Sequence, residues 1–366
     1  TLNGTGGSTG SVNIGVDLIS GTISATDGTV AINGVSGVGG NSDAIRLANF
    51  GGGGSVITTT GSGAIVLTAD ASAGSGVGLN AFGAGSAIGG ELTTGNISIT
   101  TDTISLAVPV QSIGDVSVDA TDVIVLDNSI TTTNGNITLR SLTSVSGTPN
   151  AAIQTTSGAV TLEGDSDNLG NDGAINYSGT IDHGTGGTTI FATANSPING
   201  VISGAGGLTK NGIGNLTLSG LNSATGVLAV NEGTLTVDGT WGGTATVAAG
   251  AVLGGTGSVD GSVTADGTIA PGNSPGVLST GNLTFSDGST FNVEIEGVVP
   301  GAFQGGHDQL NVTGSVTIGN LVSLTTILGP GFEPFDGDEF VIVNNDGLDP
   351  VVGTFPGFTE GTTFDV

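Results

Sequence analysis

A five-residue pattern recurs along the chain: glycine, a small polar residue, an aliphatic, a second small polar residue and a second aliphatic. It occurs as Gly95-Asn-Ile-Ser-Ile99, Gly135-Asn-Ile-Thr-Leu139, Gly158-Ala-Val-Thr-Leu162 and Gly214-Asn-Leu-Thr-Leu218. It returns as Gly233-Thr-Leu-Thr-Val237, Gly281-Asn-Leu-Thr-Phe285 and Gly314-Ser-Val-Thr-Ile318. Strict alternation predicts short strands with the aliphatics on one face and Asn, Ser or Thr on the other. The leading glycine reads as a turn residue free to take positive φ. No window keeps a helical apolar period.

Spacing decides what these strands build. From Gly95 through Gly114 and Gly135 to Gly158 the steps are 19, 21 and 23 residues. Hairpins repeat every 8–12 residues or so, whereas one coil of a parallel β-helix takes about 20. The expected fold is therefore all-β, a right-handed parallel β-helix (β-solenoid) in which each coil buries its aliphatics against its neighbours. At about 20 residues per coil and about 4.8 Å between strands, the chain would form a rod of roughly 85 Å. An array of immunoglobulin-like sandwiches is the competing architecture. Such modules usually carry a buried Trp and Tyr each, and this chain has only Trp241 and Tyr177.

Composition agrees with a thin, extended core. The 366 residues include Gly 71, with 9% charged residues, and helix-favouring Lys, Arg and Met are scarce or absent. Nine of the 12 phenylalanines lie beyond residue 281, which predicts a thicker, capping C-terminal segment. The expected organisation is residues 1–205 as solenoid coils, 206–280 as a second set of coils, and 281–366 as a Phe-richer cap or terminal module. The turn Gly272–Gly276 lies just before that last segment.

Formal charge is −28, with Arg46, Arg140 and Lys210 as the three cations. Three scattered cations form no basic stripe, which excludes nucleic acid and an anionic membrane surface as partners. There is no cysteine, hence no disulfide or thiol chemistry. The absence of methionine implies a removed signal segment or an internal fragment. No run of about 18 apolar residues is present to span a membrane.

Candidate chemistry is sparse. Gly272-Asn-Ser274-Pro-Gly276 matches the nucleophile-elbow pattern, with His307 and Asp308 downstream, but no helix is expected after Ser274 and Pro275 disturbs the geometry. His183 and His307 are the only imidazoles and lack metal-ligand spacing; His183, beside Asp182, is expected in an exposed turn. Calcium is the metal that carboxylates would suit. Asp165 and Asp167 begin a D-x-D-x-x-G loop ending at Gly170, in which Leu169 and Asn176 stand at ligand positions, and Asp336 with Asp338 forms a second acidic turn. Solvated turns are the competing reading for both.

Other signals have plainer readings. The threonine runs 58–60 and 131–133 are too far apart for an ice-binding ladder and are expected on strand exteriors. The sequons at Asn96, Asn136, Asn215, Asn282 and Asn311 are explained by strand alternation alone. A glycosidase needs two carboxylates facing the scissile bond, and acids are plentiful. Sugar platforms rely on Trp and Tyr, of which there is one each.

The stretch from Gly206 to Val237 is similar to the autotransporter-associated β-strand repeat. Gly206, Gly207, Leu208, Lys210, Gly212, Gly214, Leu216, Leu218, Gly220 and Asn222 match its pattern, followed by Thr225, Gly226, Val230, Asn231, Gly233, Thr234 and Leu235. Where the family usually has an aromatic before Thr-Gly, this chain has Ala224. Residues 1–200 loosely resemble haemagglutinin-type repeats, and the tail resembles the continuation seen in large bacterial surface proteins, so further strands are expected after Val366. The resemblance implies a secreted or surface-displayed passenger-type β-helix and carries over no catalytic residue.

The resulting expectation is a non-catalytic extracellular structural or adhesive β-solenoid on, or released from, a bacterial surface. No cofactor is required and calcium is the only candidate. Self-association into filaments and a cell-surface or glycan receptor are the expected partners, with no membrane insertion of this segment. The alternative is a polysaccharide-acting β-helix enzyme of glycosidase or lyase type.

Overall fold

The computed structural model describes residues 1–167, 173–273, 275–301, 305–347 and 349–358. Strands, turns and bends account for these residues, with no helix among them. The chain divides into two compact units, residues 1–194 with 200–205, and residues 195–199 with 206–366.

In the first unit successive strands rotate among three parallel sheets. Ile97–Thr101 lies in the first sheet, Ile104–Leu106 in the second and Val110–Ser112 in the third, and Val116–Ala120 returns to the first. Each strand pairs in parallel with its counterpart one coil later: Ile97 with Val116, Ile104 with Ile124, Val110 with Ile130. Register pairs Val116 with Ile137 and Ile137 with Val160, the same steps as the glycine spacing. This is a parallel β-helix.

The register stacks like on like. Ile99, Val118, Leu139 and Leu162 occupy one column, each fully buried. Each coil thus lays its aliphatics on those of the next, removing apolar area from water at about 25 cal/mol per Å². Stability therefore accumulates between neighbours and needs no globular centre.

The leading glycines have a different cause from the one expected. Among the seven, only Gly233 has positive φ, at 65°. At Gly95, Gly135, Gly158 and Gly281 the cause is the close approach of coils at the turn: a Cβ on Gly135 would overlap the Gly114 carbonyl, and one on Gly158 the Gly135 carbonyl. Stacked backbone leaves no room for a side chain.

The residue after the glycine also has a specific task. Asn96 Oδ1 accepts the Asp115 N–H at 3.0 Å, Asp115 Oδ1 accepts the Asn136 N–H at 2.8 Å, and Asn136 Oδ1 accepts the Ala159 N–H at 2.9 Å. These side chains form a continuous ladder over N–H groups that precede the paired strands. The sequon asparagines Asn96 and Asn136 are thus coil-to-coil staples, a role beyond simple alternation. Asn282 repeats it, accepting the Ser315 N–H at 2.9 Å.

A buried hydroxyl column runs along the corner after the third sheet. Ser112 Oγ donates to the Gly95 carbonyl at 2.7 Å, and Thr132 and Thr155 both donate to the Gly135 carbonyl, at 2.6 and 3.1 Å. The threonine runs are therefore not wholly external. Thr59 and Thr132, the middle residue of each, are buried because a threonine can satisfy a turn carbonyl without leaving the core.

In the second unit the coils tighten and then lengthen. Leu208 pairs with Leu228, Leu228 with Ala245, Ala245 with Val263, and Val263 with Leu283. Leu283 then pairs with Val316, a coil of 33 residues carrying an insertion between Thr290–Ile295 and Gln309–Val312. Within it, Ile295 pairs with His307 in antiparallel fashion. Here three of the phenylalanines cluster: Phe285 and Phe291, both buried, are 5.4 Å apart by ring centroids, and the half-buried Phe355 lies 5.9 Å from Phe291, whereas Phe335 is exposed. Trp241 is fully buried, and its Nε1–H donates to the Gly226 carbonyl at 3.1 Å. Ala224, where the repeat usually has an aromatic, is buried as well.

Candidate functional site

The outward faces of the strands form registered polar rows. On the first sheet of the first unit, Ser98, Ser117, Thr138, Thr161 and Thr189 follow one another on successive coils. The next row along the same strands runs Thr100, Asp119, Arg140 and Glu163, and Arg140 pairs with both acids at 3.5 and 3.1 Å. In the second unit Thr246, Thr264, Thr284 and Thr317 make a comparable row. Held by a parallel sheet, such hydroxyls have little conformational freedom left to lose on binding.

The four calcium candidates fall in two places. Asp165 is 5% exposed, and its Oδ2 accepts from Thr193 Oγ1 at 3.0 Å. Asp167 is exposed, and the remaining loop positions, Leu169 and Gly170, lie outside the described residues. Asp336 is exposed, while Asp338 Oδ2 accepts the Phe335 N–H at 2.8 Å, the bond of an ordinary acidic turn. Among the described residues no group of three or more His, Asp or Glu side chains is arranged to hold a metal ion.

Both imidazoles are buried, which corrects the exposed position expected for His183. That residue is fully enclosed, with Nδ1 2.8 Å from Thr188 Oγ1. Its position continues the hydroxyl column of Thr132 and Thr155 one coil further, since Gln154 pairs with Asp182. A Cβ on Gly204 would press on the His183 ring, so the next coil supplies glycine there.

His307 is 1% exposed, with Nδ1 3.1 Å from the Gly297 carbonyl and Nε2 3.3 Å from the Val341 carbonyl. Its neighbour Asp308 holds two backbone segments together. Oδ1 accepts the Gly276 N–H at 2.8 Å and Oδ2 accepts the Glu294 N–H at 2.9 Å. Burial pushes the Asp308 carboxyl up to about 6; the two N–H donors oppose this, and the charges of Glu294 and Glu296 add to it. Asp308 thus anchors the turn 272–276. Ser274 itself lies outside the described residues.

Lys210 was legible only as a letter of the repeat. Its side chain is buried, and Nζ donates to the carbonyl of Gly212 and, at 3.4 Å, to that of Asn211. Glu232, one coil on, accepts the Gly212 N–H at 3.1 Å. Burial lowers the Lys210 ammonium to about 8, opposed by the Glu232 charge. Lys210 and Glu232 act as a clamp on the turn 211–214, a structural duty.

Known proteins share parts of this chain. It is 30% identical over 189 residues to the adhesin BmaC autotransporter of Brucella suis, covering 44% of this chain and 5% of that protein. It is 40% identical over 96 residues to the extracellular serine protease of Serratia marcescens, covering 26% of this chain and 9% of that protein. The chain fits a bacterial surface passenger. No family model matches it. The chain spans less than a tenth of the length of either relative, and these similarities, with the parallel sheets, bear on passenger architecture alone.

Proposed function

We propose that this segment is a non-catalytic adhesive passenger, presented outside the bacterial cell or released from it. The observation that carries this reading is the set of Ser and Thr rows held in register on successive coils. A rigid hydroxyl lattice suits repeated weak contacts with a polar surface, where avidity replaces a single strong site. The similarity to an adhesin supports it. The similarity to a serine protease covers 9% of that protein, and the reading takes no hydrolysis from it.

Display of the chain on a non-adherent bacterium tests this. Retention under flow on mucin-coated or matrix-coated glass is expected to rise, and unchanged retention on every coating would sink the adhesive role. New reducing ends released from polygalacturonate or other polysaccharides would overturn the non-catalytic one. A second element of the proposal is filament formation. The ladder hydrogen bonds between paired strands of successive coils are backbone to backbone, so they can join copies as well as coils. Light scattering across concentration should show growing mass; a constant monomer would reject it.

A further inference from the structure

The first unit contains a cavity of about 280 Å³ at the outer side of the second sheet, beside Arg46 and Asn80. These two residues are paired neighbours on successive strands, so their side chains emerge side by side. Asp43 forms the cavity wall and is 6% exposed. Its Oδ1 accepts the Val77 N–H at 3.0 Å and its Oδ2 accepts from Asn80 Nδ2 at 3.1 Å, which fixes both side chains before anything binds. Asn41 lines the opening with φ at 56°, one of two non-glycine residues described in the left-handed region. Such strain gathers at ligand sites. Phe82 supplies an apolar wall, with the Phe50 ring edge-on to it at 6.1 Å.

We propose that this cavity binds one neutral sugar ring, the contact through which the adhesive passenger recognises glycans; its place in attachment rests on the adhesive reading above. Three observations set the ligand class. The lining combines a carboxylate and amides, able to accept from and donate to hydroxyls, with an aromatic face for sugar C–H groups. Its cation is already matched: Arg46 Nε and Nη2 contact Asp17 Oδ1 and Oδ2 at 3.0 and 2.5 Å. With Asp43 in the wall and −28 overall, an acidic sugar or phosphate meets net repulsion. A metal cation is disfavoured because Asp43 is the one carboxylate of the lining and both its oxygens already accept hydrogen bonds, from Val77 N–H and Asn80 Nδ2. The volume is just below the range of drug-sized sites, roughly 300–1,000 Å³, which suits a single ring better than an oligosaccharide.

Titration of the whole chain with neutral methyl hexosides and methyl N-acetylhexosaminides, followed by calorimetry or ligand-observed NMR, tests the proposal. At least one is expected to bind with Kd on the order of 1 mM, as befits a ligand of about a dozen heavy atoms. Asn80→Leu and Phe82→Ala should each weaken it about tenfold or more. Ser105→Ala, the next position along the same row, should leave it unchanged. Asn41→Gly keeps the backbone conformation and should also weaken binding, which guards against a loss due to misfolding. The proposal is overturned if no neutral glycoside binds, if only galacturonate, sialic acid or calcium binds, or if Asn80→Leu and Phe82→Ala are silent. Glycoside binding lost in the variants while retention under flow persists sinks the site's part in attachment and leaves the adhesive reading. Glycoside binding intact in a chain that never retains cells does the reverse.

Discussion

The ring of Tyr177 lies over Gly147, its register partner on the neighbouring coil, so closely that a Cβ on Gly147 would overlap the aromatic carbons. The one tyrosine of the chain therefore fits only because the coil beneath it carries no side chain. Gly147→Ala should lower the free energy of unfolding by about 1–3 kcal/mol through overpacking. Tyr177→Leu in the same chain should restore part of the loss, and purely additive losses would show the contact is not the cause.

The Tyr177 hydroxyl is buried without a hydrogen-bond partner among the described residues. Tyr177→Phe should accordingly leave stability unchanged or slightly raised, since an unsatisfied donor is removed. Burial also holds the phenol well above its ordinary titration range. With a single tyrosine, the alkaline absorbance change should appear only as the protein unfolds. An earlier tyrosinate signal from folded protein would contradict this packing.

Within the side-chain ladder, Asn136→Ala removes the acceptor of the Ala159 N–H. A cost of about 1 kcal/mol is expected, as for other caps of otherwise unpaired N–H groups. Asn136→Asp, which keeps the oxygen, should retain most of the stability in urea denaturation. Equal losses from both variants would assign the effect to something other than the acceptor.

Asp308 carries a pH signature. Its folded value of about 6 stands above the ordinary carboxylate value of 3.8, so ionisation costs stability. The contribution is fully favourable below 3.8 and is lost as pH rises through about 6. Compared with Asp308→Asn, the wild type should gain stability as pH falls from about 7 to about 5. A difference that does not change over that window would refute the raised value.

Calcium is expected to do little to this fold, since a carboxylate central to each acidic turn, Asp165 or Asp338, is already bonded within the protein. Melting curves in millimolar calcium and in chelator should superimpose. A rise abolished jointly by Asp165→Asn and Asp167→Asn would instead establish a site at that loop.

Much of the coil was legible before any coordinates. Alternation marked the strands, and the steps between Gly95, Gly114, Gly135 and Gly158 equal the register shifts from Ile97 to Val160. The reason is that each coil repeats one local instruction, turn then alternating strand, and stacking only copies it. What escaped was the meaning of single residues. His183 reads as a turn residue because its neighbours are polar, yet it fills the corner column that Thr132 and Thr155 begin. Lys210 reads as a letter of the repeat and one of three scattered cations, yet its stem lies within the core while Nζ reaches the turn carbonyls.

The sequence by itself determined the class of fold, the coil length and the inward columns, because period and glycine spacing are local properties of the chain. Only the tertiary structure decided which polar groups are buried partners and which are free faces. The cavity wall joins Asn41, Asp43, Asn80 and Phe82, residues placed together by stacking of successive coils. No local pattern encodes that meeting, since it depends on the exact number of residues each coil spends before returning to the same sheet.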